Sequence, residues 1–134
     1  MRVPVPVECP CGQRDPRGRA LALADCCGRY LGGESLAPDA ERLMRSRYTA
    51  YTLGLAPYLL STWHPRTRPA ELLLDAGVKW LGLEVRAHQA LDAERAEVEF
   101  VARSRLAGRA QRLHERSRFV REAGQWLYVD GDLL

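Results

Sequence analysis

Residues 98–122 read VEFVARSRLAGRAQRLHERSRFVRE, and their pattern is the strongest indication of the fold class. Apolar and more polar side chains alternate from Val98 to Ala102, and they alternate again over about 111–122. A period of two is typical of β-strands that are buried on one face. Ala107-Gly108 separates the two runs and favours a tight turn. The stretch therefore predicts a β-hairpin with one face on a core.

The pattern continues on both sides of this hairpin. An earlier run begins at Val78 and carries a set of apolar residues on its expected core face: Leu81, Leu83 and Val85. A fourth run covers about 125–130, and Asp92–Arg95 and Ala123-Gly124 supply the remaining turns. Four strands joined by short hairpins predict an antiparallel sheet.

Helices precede the strands. From about Asp39 to Leu55, apolar residues recur at steps of three and four and predict one buried stripe: Ala40, Leu43, Met44, Tyr48, Tyr51 and Leu55. Arg47 falls on this stripe. A second short helix is expected to end near His64, and a third helical piece around Ala70–Ala76. Helices followed by hairpins predict an α+β domain over 34–134.

The bulk composition bounds the class of protein. No apolar run approaches the roughly 20 residues that a bilayer crossing needs, and residues 1–10 lack the apolar segment of a signal peptide. We therefore expect a soluble cytoplasmic protein. The net charge is +3, with Lys79 the only lysine against 19 arginines, a bias typical of GC-rich genomes. Nucleic acid is not indicated as a partner.

All four cysteines lie in an N-terminal head, residues 1–33, that is rich in Pro, Gly and Arg. They form two pairs, Cys9-Pro10-Cys11 and Cys26-Cys27. Structural zinc favours four thiolates, with each pair supplied by a tight turn. The pattern therefore predicts Zn²⁺ on Cys9, Cys11, Cys26 and Cys27.

Three alternatives to zinc remain open for the cysteines. Disulfides are disfavoured in a chain without an export signal. A redox pair normally has the spacing Cys-x-x-Cys, which neither pair shows. Buried thiols without a ligand are the third alternative.

The sequence resembles the YchJ family of uncharacterised bacterial proteins over nearly its whole length. Eight segments carry the resemblance: CPCG at 9–12, CCGRYLGGE at 26–34, APDAERLMRSRYTAY at 37–51, YLLSTWHPRTRP at 58–69, WLGLEV at 80–85, VEFVAR at 98–103, HERSRFVRE at 114–122 and WLYVDGD at 126–132. Together they are far more specific than one short motif.

The resemblance implies a cone-shaped domain similar to nuclear transport factor 2, preceded by a zinc-binding SEC-C motif. SEC-C motifs are associated with metal binding and protein docking, so the resemblance also implies a protein partner for the head. The chain departs from the family in the 14 residues between Cys11 and Cys26, which form a longer insert than usual, and in Gln13, where serine is common. Loop length costs little entropy, so the two pairs can still meet.

A cone-shaped domain encloses a cavity between its helices and its sheet, where polar residues are candidates for ligand binding. Glu115 and Ser117 share the expected core face of the third strand, and an ion pair between Glu115 and Arg47 is predicted. This pair would be structural, or Glu115 would serve as a general base or as an anchor for a ligand amine. Further candidates for this pocket are Tyr51, Trp63 and His64.

Arg116 and Arg118 lie on the opposite face of the third strand and are candidates for anion binding, if that face closes on another subunit. Two functions follow from these patterns. The first is a zinc-binding module without catalysis, whose head docks a partner or braces the cone domain. The alternative is a small-molecule binder or a lyase or isomerase that uses the cavity. A homodimer through the open sheet face is expected by analogy with the fold.

Overall fold

The structure is a computed structural model that describes residues 7–134; residues 1–6, part of the segment that lacks signal-peptide character, lie outside it. A short 3₁₀ turn, Leu23–Asp25, precedes three helices: α1 (Gly28–Leu31), α2 (Ala40–Leu53) and α3 (Ala56–Ser61). Four strands follow: β1 (Lys79–Ala90), β2 (Arg95–Leu106), β3 (Arg109–Glu122) and β4 (Gln125–Leu133). The prediction that helices precede four strands is confirmed, whereas α1 lies where the sequence predicts a loop.

The four strands form one antiparallel sheet in the order β1-β2-β3-β4. Both tight hairpins fall where the sequence predicts them. Ala107 and Gly108 have φ of 51° and 78°, and Ala123 and Gly124 have φ of 51° and 76°. Two successive residues with positive φ are typical of the type I′ turn, whose twist matches that of the strands. Alanine is an uncommon first residue there, because its Cβ disfavours this conformation.

Strand β1 departs from the predicted alternation at Leu81. The register with β2 shifts between Trp80 and Gly82, so Leu81 is the extra residue of a bulge and is 47% exposed. The prediction that Leu81 faces the core is therefore wrong. The bulge lets Trp80 and Leu83 both pack against the core, where the Trp80 ring meets the edge of Tyr48 at 5.6 Å between centroids.

Helix α2 is buried more broadly than one stripe. The Asp39 carboxylate caps it by accepting from the Arg42 N–H at 2.8 Å, and Gly54 ends it with φ of 72°. The predicted stripe faces the sheet. Three further residues are buried because the N-terminal segment and α3 cover a second flank: Ser46, Thr49 and Ala50. The four cysteines share one core cluster with α2 and the sheet, so the core continues across residue 33.

The segment 64–78 leads from α3 to β1 and contains no helix, so the helix expected around Ala70–Ala76 is wrong. Leu72 and Leu74 are half-buried, whereas Leu73 is 83% exposed. This alternation has the period of an extended chain, which explains why a run of leucines does not become a helical stripe. Within residues 7–134, no helix is long and apolar enough to cross a membrane.

Candidate metal centre and cavity

The four cysteines come together from two short turns. Cys9 is held by an antiparallel bridge, in which its N–H donates to the Leu21 carbonyl at 2.9 Å, and Cys27 is the N-cap of α1. The four Sγ atoms all lie within 4.8 Å of one another, and all four side chains are buried. The long insert between the pairs therefore does not keep them apart.

The spacing of the sulfur atoms fits a tetrahedral ion. A zinc–thiolate bond of about 2.3 Å places the corners of a tetrahedron about 3.8 Å apart. The Sγ atoms of Cys9 and Cys11 are 3.5 Å apart, and those of Cys11 and Cys26 are 3.7 Å apart. The donor set can thus hold one metal ion, with all four positions supplied by the protein.

The charge state of these thiols also favours a cation. Hydrogen bonds with Cys11 and Cys27 hold the pKa of Cys9 far below its usual value. Burial and the neighbouring negative charges raise the pKa of Cys26 to about 12, and hydrogen bonds with Cys11 and Cys9 raise that of Cys27 further. The Cys9 thiolate is therefore stabilised at the expense of Cys26 and Cys27, and a bound cation would favour the thiolate form of the ligands.

Close packing around the cysteines depends on two details of the backbone. The Gln13 N–H donates to the Cys11 Sγ at 3.4 Å, directly after Gly12, which has φ of 75°. A Cβ atom on Gly28 would lie 2.6 Å from the Leu23 carbonyl oxygen, so only glycine allows this approach.

Helix α2 contributes two contacts to the centre that sequence reasoning missed. The Thr49 hydroxyl lies 3.7 Å from the Cys9 Sγ, and Arg45 Nη1 donates to the Cys11 carbonyl at 3.0 Å. Arg45 and Thr49 are four residues apart and therefore share one helix face. That spacing was the only available signal, and nothing in it indicates a cysteine partner.

A cavity of about 260 Å³ lies between α2 and the sheet. Most of its wall is aromatic or aliphatic. The lining residues are Met44, Arg47, Tyr48, Tyr51, Trp63, Trp80, Phe100, Ala102, Leu113, Glu115, Ser117, Phe119 and Tyr128. Five of the six residues predicted for a pocket are therefore brought together.

Arg47 is 6% exposed and is held by α3. Its Nη1 donates to the Leu59 carbonyl at 2.8 Å and to the Thr62 hydroxyl at 2.7 Å. Its Cζ lies 5.1 Å from the centroid of Trp63 and 4.7 Å from that of Tyr128. Burial lowers the pKa of Arg47, because the charged form loses its hydration.

The predicted ion pair between Arg47 and Glu115 is not formed, and this prediction is wrong. Glu115 instead accepts a short hydrogen bond from the Ser117 hydroxyl. Its side chain lies over Gly131 of β4, where a Cβ atom would approach Glu115 Oε2 to 2.5 Å. The two charges are thus held by different elements, Arg47 of α2 by the end of α3 and Glu115 by the sheet. Gly131 was missed because its role depends on the pairing of β3 with β4.

The family profile described as the YchJ middle domain, similar to nuclear transport factor 2, matches residues 39–131. The chain belongs to the YchJ family. Curated relatives in this family are called UPF0225 proteins. One from Polaromonas sp. (strain JS666) is 61% identical over 127 residues, which cover 92% of this chain and 91% of the relative. Another, from Bordetella parapertussis, is 58% identical over 131 residues, which cover 96% of this chain and 94% of the relative.

Two solved structures share the YchJ-family fold over almost the whole chain. The solution structure of a SEC-C motif containing protein from Rhodopseudomonas palustris is 34% identical, with a TM-score of 0.80 and coverage of 96% of this chain and 99% of that one. The protein in the crystal structure of a SEC-C motif containing protein from Psychrobacter arcticus is 33% identical. The TM-score is 0.75, and the match covers 92% of this chain and 80% of that one. The predicted α+β fold, similar to nuclear transport factor 2 with a cysteine-rich N-terminus, is confirmed.

His64 lies outside the cavity of this YchJ-family chain. Its Nδ1 accepts from the Arg66 N–H at 3.0 Å, and its Nε2 lies 2.8 Å from the Glu122 carboxylate. With Nδ1 an acceptor, Nε2 carries the proton and donates to Glu122. His64 therefore ties the segment after α3 to β3 and does not line the cavity.

Arg116 and Arg118 lie on the outer face of the sheet, as the alternation of β3 predicts. Arg118 donates to Asp130 at 2.5 Å and to Asp132 at 2.7 Å, and Arg116 lies 3.4 Å from Glu99. Acidic neighbours thus occupy both guanidinium groups in the isolated chain. Anion binding at this pair stays a prediction, and it requires these ion pairs to open.

Proposed function

We propose that Cys9, Cys11, Cys26 and Cys27 hold Zn²⁺, and that the metal has a structural role. Four thiolates in a tetrahedral arrangement suit zinc or an iron–sulfur centre, and a single ion with four dedicated ligands favours zinc. The observation that carries this proposal is the closed, buried set of four sulfur atoms within 4.8 Å of one another. The SEC-C name of the two solved neighbours supports the same assignment.

A structural role is favoured over a catalytic one because the four cysteines leave no coordination position for a substrate. Catalytic zinc generally has three protein ligands and an exchangeable water. The cysteines also lie within the core that α2 shares with the sheet, and Arg45 of α2 donates to the Cys11 carbonyl. The metal would thus brace the N-terminal segment against α2, and the protein would act by binding.

Elemental analysis of protein purified without chelator tests this proposal. We expect about one zinc per chain for the natural protein. The control Ala24→Ser, which adds an exposed hydroxyl in the 3₁₀ turn just before Cys26, should bind the same amount. Cys26→Ser should lose most of the zinc, because a neutral hydroxyl replaces one thiolate. Less than about a tenth of a zinc per chain in the natural protein, or iron in its place, would overturn the assignment.

A second candidate function is the binding of a small molecule in the cavity. It is favoured by the buried Arg47, which has no carboxylate oxygen within 4.0 Å among residues 7–134. Replacing Ala102 in the cavity wall by leucine should fill part of the space. The indole N–H resonances of Trp63 and Trp80 report binding in the cavity by NMR. A ligand that shifts these resonances in the natural protein should no longer bind the variant, while the zinc content stays the same.

A further inference from the structure

We infer that the cavity binds a small zwitterion with an apolar, aromatic-sized body. Its acid group would pair with Arg47, and its ammonium group would pair with Glu115. This inference rests on the second candidate function and names the chemical class of the ligand. It follows from the charges on the cavity wall and from how each is held.

Arg47 supplies an anchor for an acid group. The guanidinium is more than nine-tenths buried, yet only Nη1 donates a hydrogen bond within residues 7–134. The Nε and Nη2 groups have no partner there and are not sealed from the cavity. The nearby indole N–H of Trp63 is buried and also lacks a partner among the described residues. Buried donors and charges are costly without acceptors, so this region favours an anionic acceptor.

Glu115 supplies the opposite charge on the sheet. Within residues 7–134 its carboxylate accepts only from Ser117, and no cationic nitrogen lies within 4.0 Å of it. A carboxylate can accept about four hydrogen bonds, so most of its capacity is free. The absence of a side chain at Gly131 lets this carboxylate lie against β4 at the cavity wall. An ammonium group would be the strongest available partner.

The two charges do not neutralise each other, because different elements hold them apart. Arg47 is tied to the carbonyl end of α3, and Glu115 is tied to Ser117 of its own strand. A ligand with only one charge would leave the other charge, the buried Arg47 or the half-buried Glu115, without an ionic partner. A zwitterion pairs both charges and carries no net charge into the low-dielectric cavity.

The remaining wall determines the body of the ligand. Seven aromatic rings line the cavity, in addition to Met44 and Leu113: Tyr48, Tyr51, Trp63, Trp80, Phe100, Phe119 and Tyr128. Rings arranged in this way favour an aromatic or similarly flat apolar group through edge and offset contacts. The volume of about 260 Å³ lies just below the range for drug-sized ligands, so an amino-acid-sized molecule fits.

Four matched probes test the inference on the metal-loaded natural protein. L-Phenylalanine carries both charges, 3-phenylpropanoate only the acid, 2-phenylethylamine only the ammonium, and 2-phenylethanol neither. Binding is followed at pH 7 by NMR through the indole N–H signals of Trp63 and Trp80. We expect phenylalanine to bind at least ten times more tightly than each of the other three probes.

Two variants assign the charges without removing Arg47, whose loss would also disturb α3. Glu115→Gln should weaken the binding of phenylalanine and of 2-phenylethylamine about tenfold. The binding of 3-phenylpropanoate should stay unchanged or become tighter. Gly131→Ala should act in the same direction, because the new Cβ displaces the carboxylate while its charge remains. Gly82→Ala is the control, since a Cβ there meets nothing within 4 Å.

The outcomes separate the inference from the function on which it rests. If 2-phenylethanol binds as tightly as phenylalanine, the zwitterion inference is wrong and small-molecule binding in the cavity stands. The inference also fails if 3-phenylpropanoate matches phenylalanine and Glu115→Gln changes neither. If no probe at millimolar concentration shifts either indole signal, both the inference and the second candidate function fail.

Discussion

The cysteine centre and the cavity lie against different faces of helix α2, and their polar groups are satisfied in opposite ways. At the cysteine centre, four sulfur atoms contact one another, Thr49 and a backbone N–H. In the cavity, the Arg47 and Glu115 charges face a shared space without contacting each other. One helix thus supports a closed donor set on one face and an open pair of charges on another.

This contrast indicates which region stabilises the fold and which is available to a partner molecule. A donor set that is complete within the chain contributes to stability, since its binding energy is also folding energy. Half-buried or buried charges that lack an opposite charge within the chain cost stability, and such charges are enriched where a ligand binds. We therefore expect substitutions near the cysteines to change stability and substitutions at the cavity to change binding.

The largest expected effect follows from removing the zinc that we propose for the cysteine centre. Structural zinc binds small domains with about 10–16 kcal/mol, which is comparable to the whole stability of a domain. A strong chelator should lower the thermal midpoint of the natural protein by roughly 10 °C or more, measured by circular dichroism. Glu115→Gln should show the same drop. An unchanged midpoint after complete metal loss would contradict the structural role.

Two glycines give the next contrast. Gly28→Ala places a Cβ 2.6 Å from the Leu23 backbone oxygen beside the cysteines, whereas Gly131→Ala meets only the flexible end of Glu115. We expect Gly28→Ala to cost about 1–3 kcal/mol, as overpacking does, and to weaken zinc binding. Gly131→Ala should cost less than about 1 kcal/mol, because the carboxylate can swing away.

Urea unfolding of both variants, with Gly82→Ala as the control, measures this contrast. If Gly131→Ala destabilises the protein as much as Gly28→Ala, the cavity wall is as tightly packed as the cysteine centre. The distinction between a closed and an open region would then be lost.

Alkaline titration examines the tyrosines around both regions. Burial raises the pKa values of Tyr48, Tyr51, Tyr58 and Tyr128 above the usual 10.0, and the Glu115 charge raises Tyr128 further. The unfolded chain ionises near pH 10, so stability is full below that pH and falls as pH rises above it. Absorbance at 295 nm should show most tyrosines ionising later in the folded protein than in denaturant. Ionisation near pH 10 in both states would contradict the burial of the cavity wall.

The smallest effects compare two tyrosine hydroxyls. The Tyr58 hydroxyl lies 2.7 Å from the Ser46 hydroxyl, whereas the Tyr128 hydroxyl has no hydrogen-bond partner among residues 7–134. Tyr58→Phe should cost about 0.5–1.5 kcal/mol, the value of one hydrogen bond, and Tyr128→Phe should cost nearly nothing. Urea unfolding measures both. Equal losses would show that the Tyr128 hydroxyl is already satisfied and is not available to a ligand.

The sequence predicted those features that depend on local patterns. The steps of three and four in α2 predicted its sheet-facing stripe, and alternation around Ala107-Gly108 predicted the β2–β3 hairpin. The cysteine cluster could also be predicted from the sequence, because two pairs of cysteines within one short segment suggest a shared ligand. Local periodicity and turn chemistry carry this information without knowledge of the tertiary structure.

Features that arise from packing between distant segments could not be predicted from local sequence patterns. The bulge at Leu81 places the start of β1 on the opposite face from the one that simple alternation predicts, and no residue type there indicates a bulge. Arg47 and Glu115 were correctly placed on inward faces, but an ion pair between them does not form, because α3 and Ser117 bind each one separately. Strand alternation could not show that Gly131 clears the space for the Glu115 carboxylate.

The parallel bridge between Trp63 and Tyr128 has a consequence for the order of folding events. The three hairpins join neighbouring strands. In contrast, the Tyr128 N–H donates to the Thr62 carbonyl and the His64 N–H donates to the Tyr128 carbonyl, which connects residues more than 60 positions apart. Closing so long a loop is entropically slow, so the hairpins should form before this link. The cavity wall that contains Trp63 and Tyr128 would then be completed after the transition state. Substitutions there should accelerate unfolding and leave the folding rate nearly unchanged.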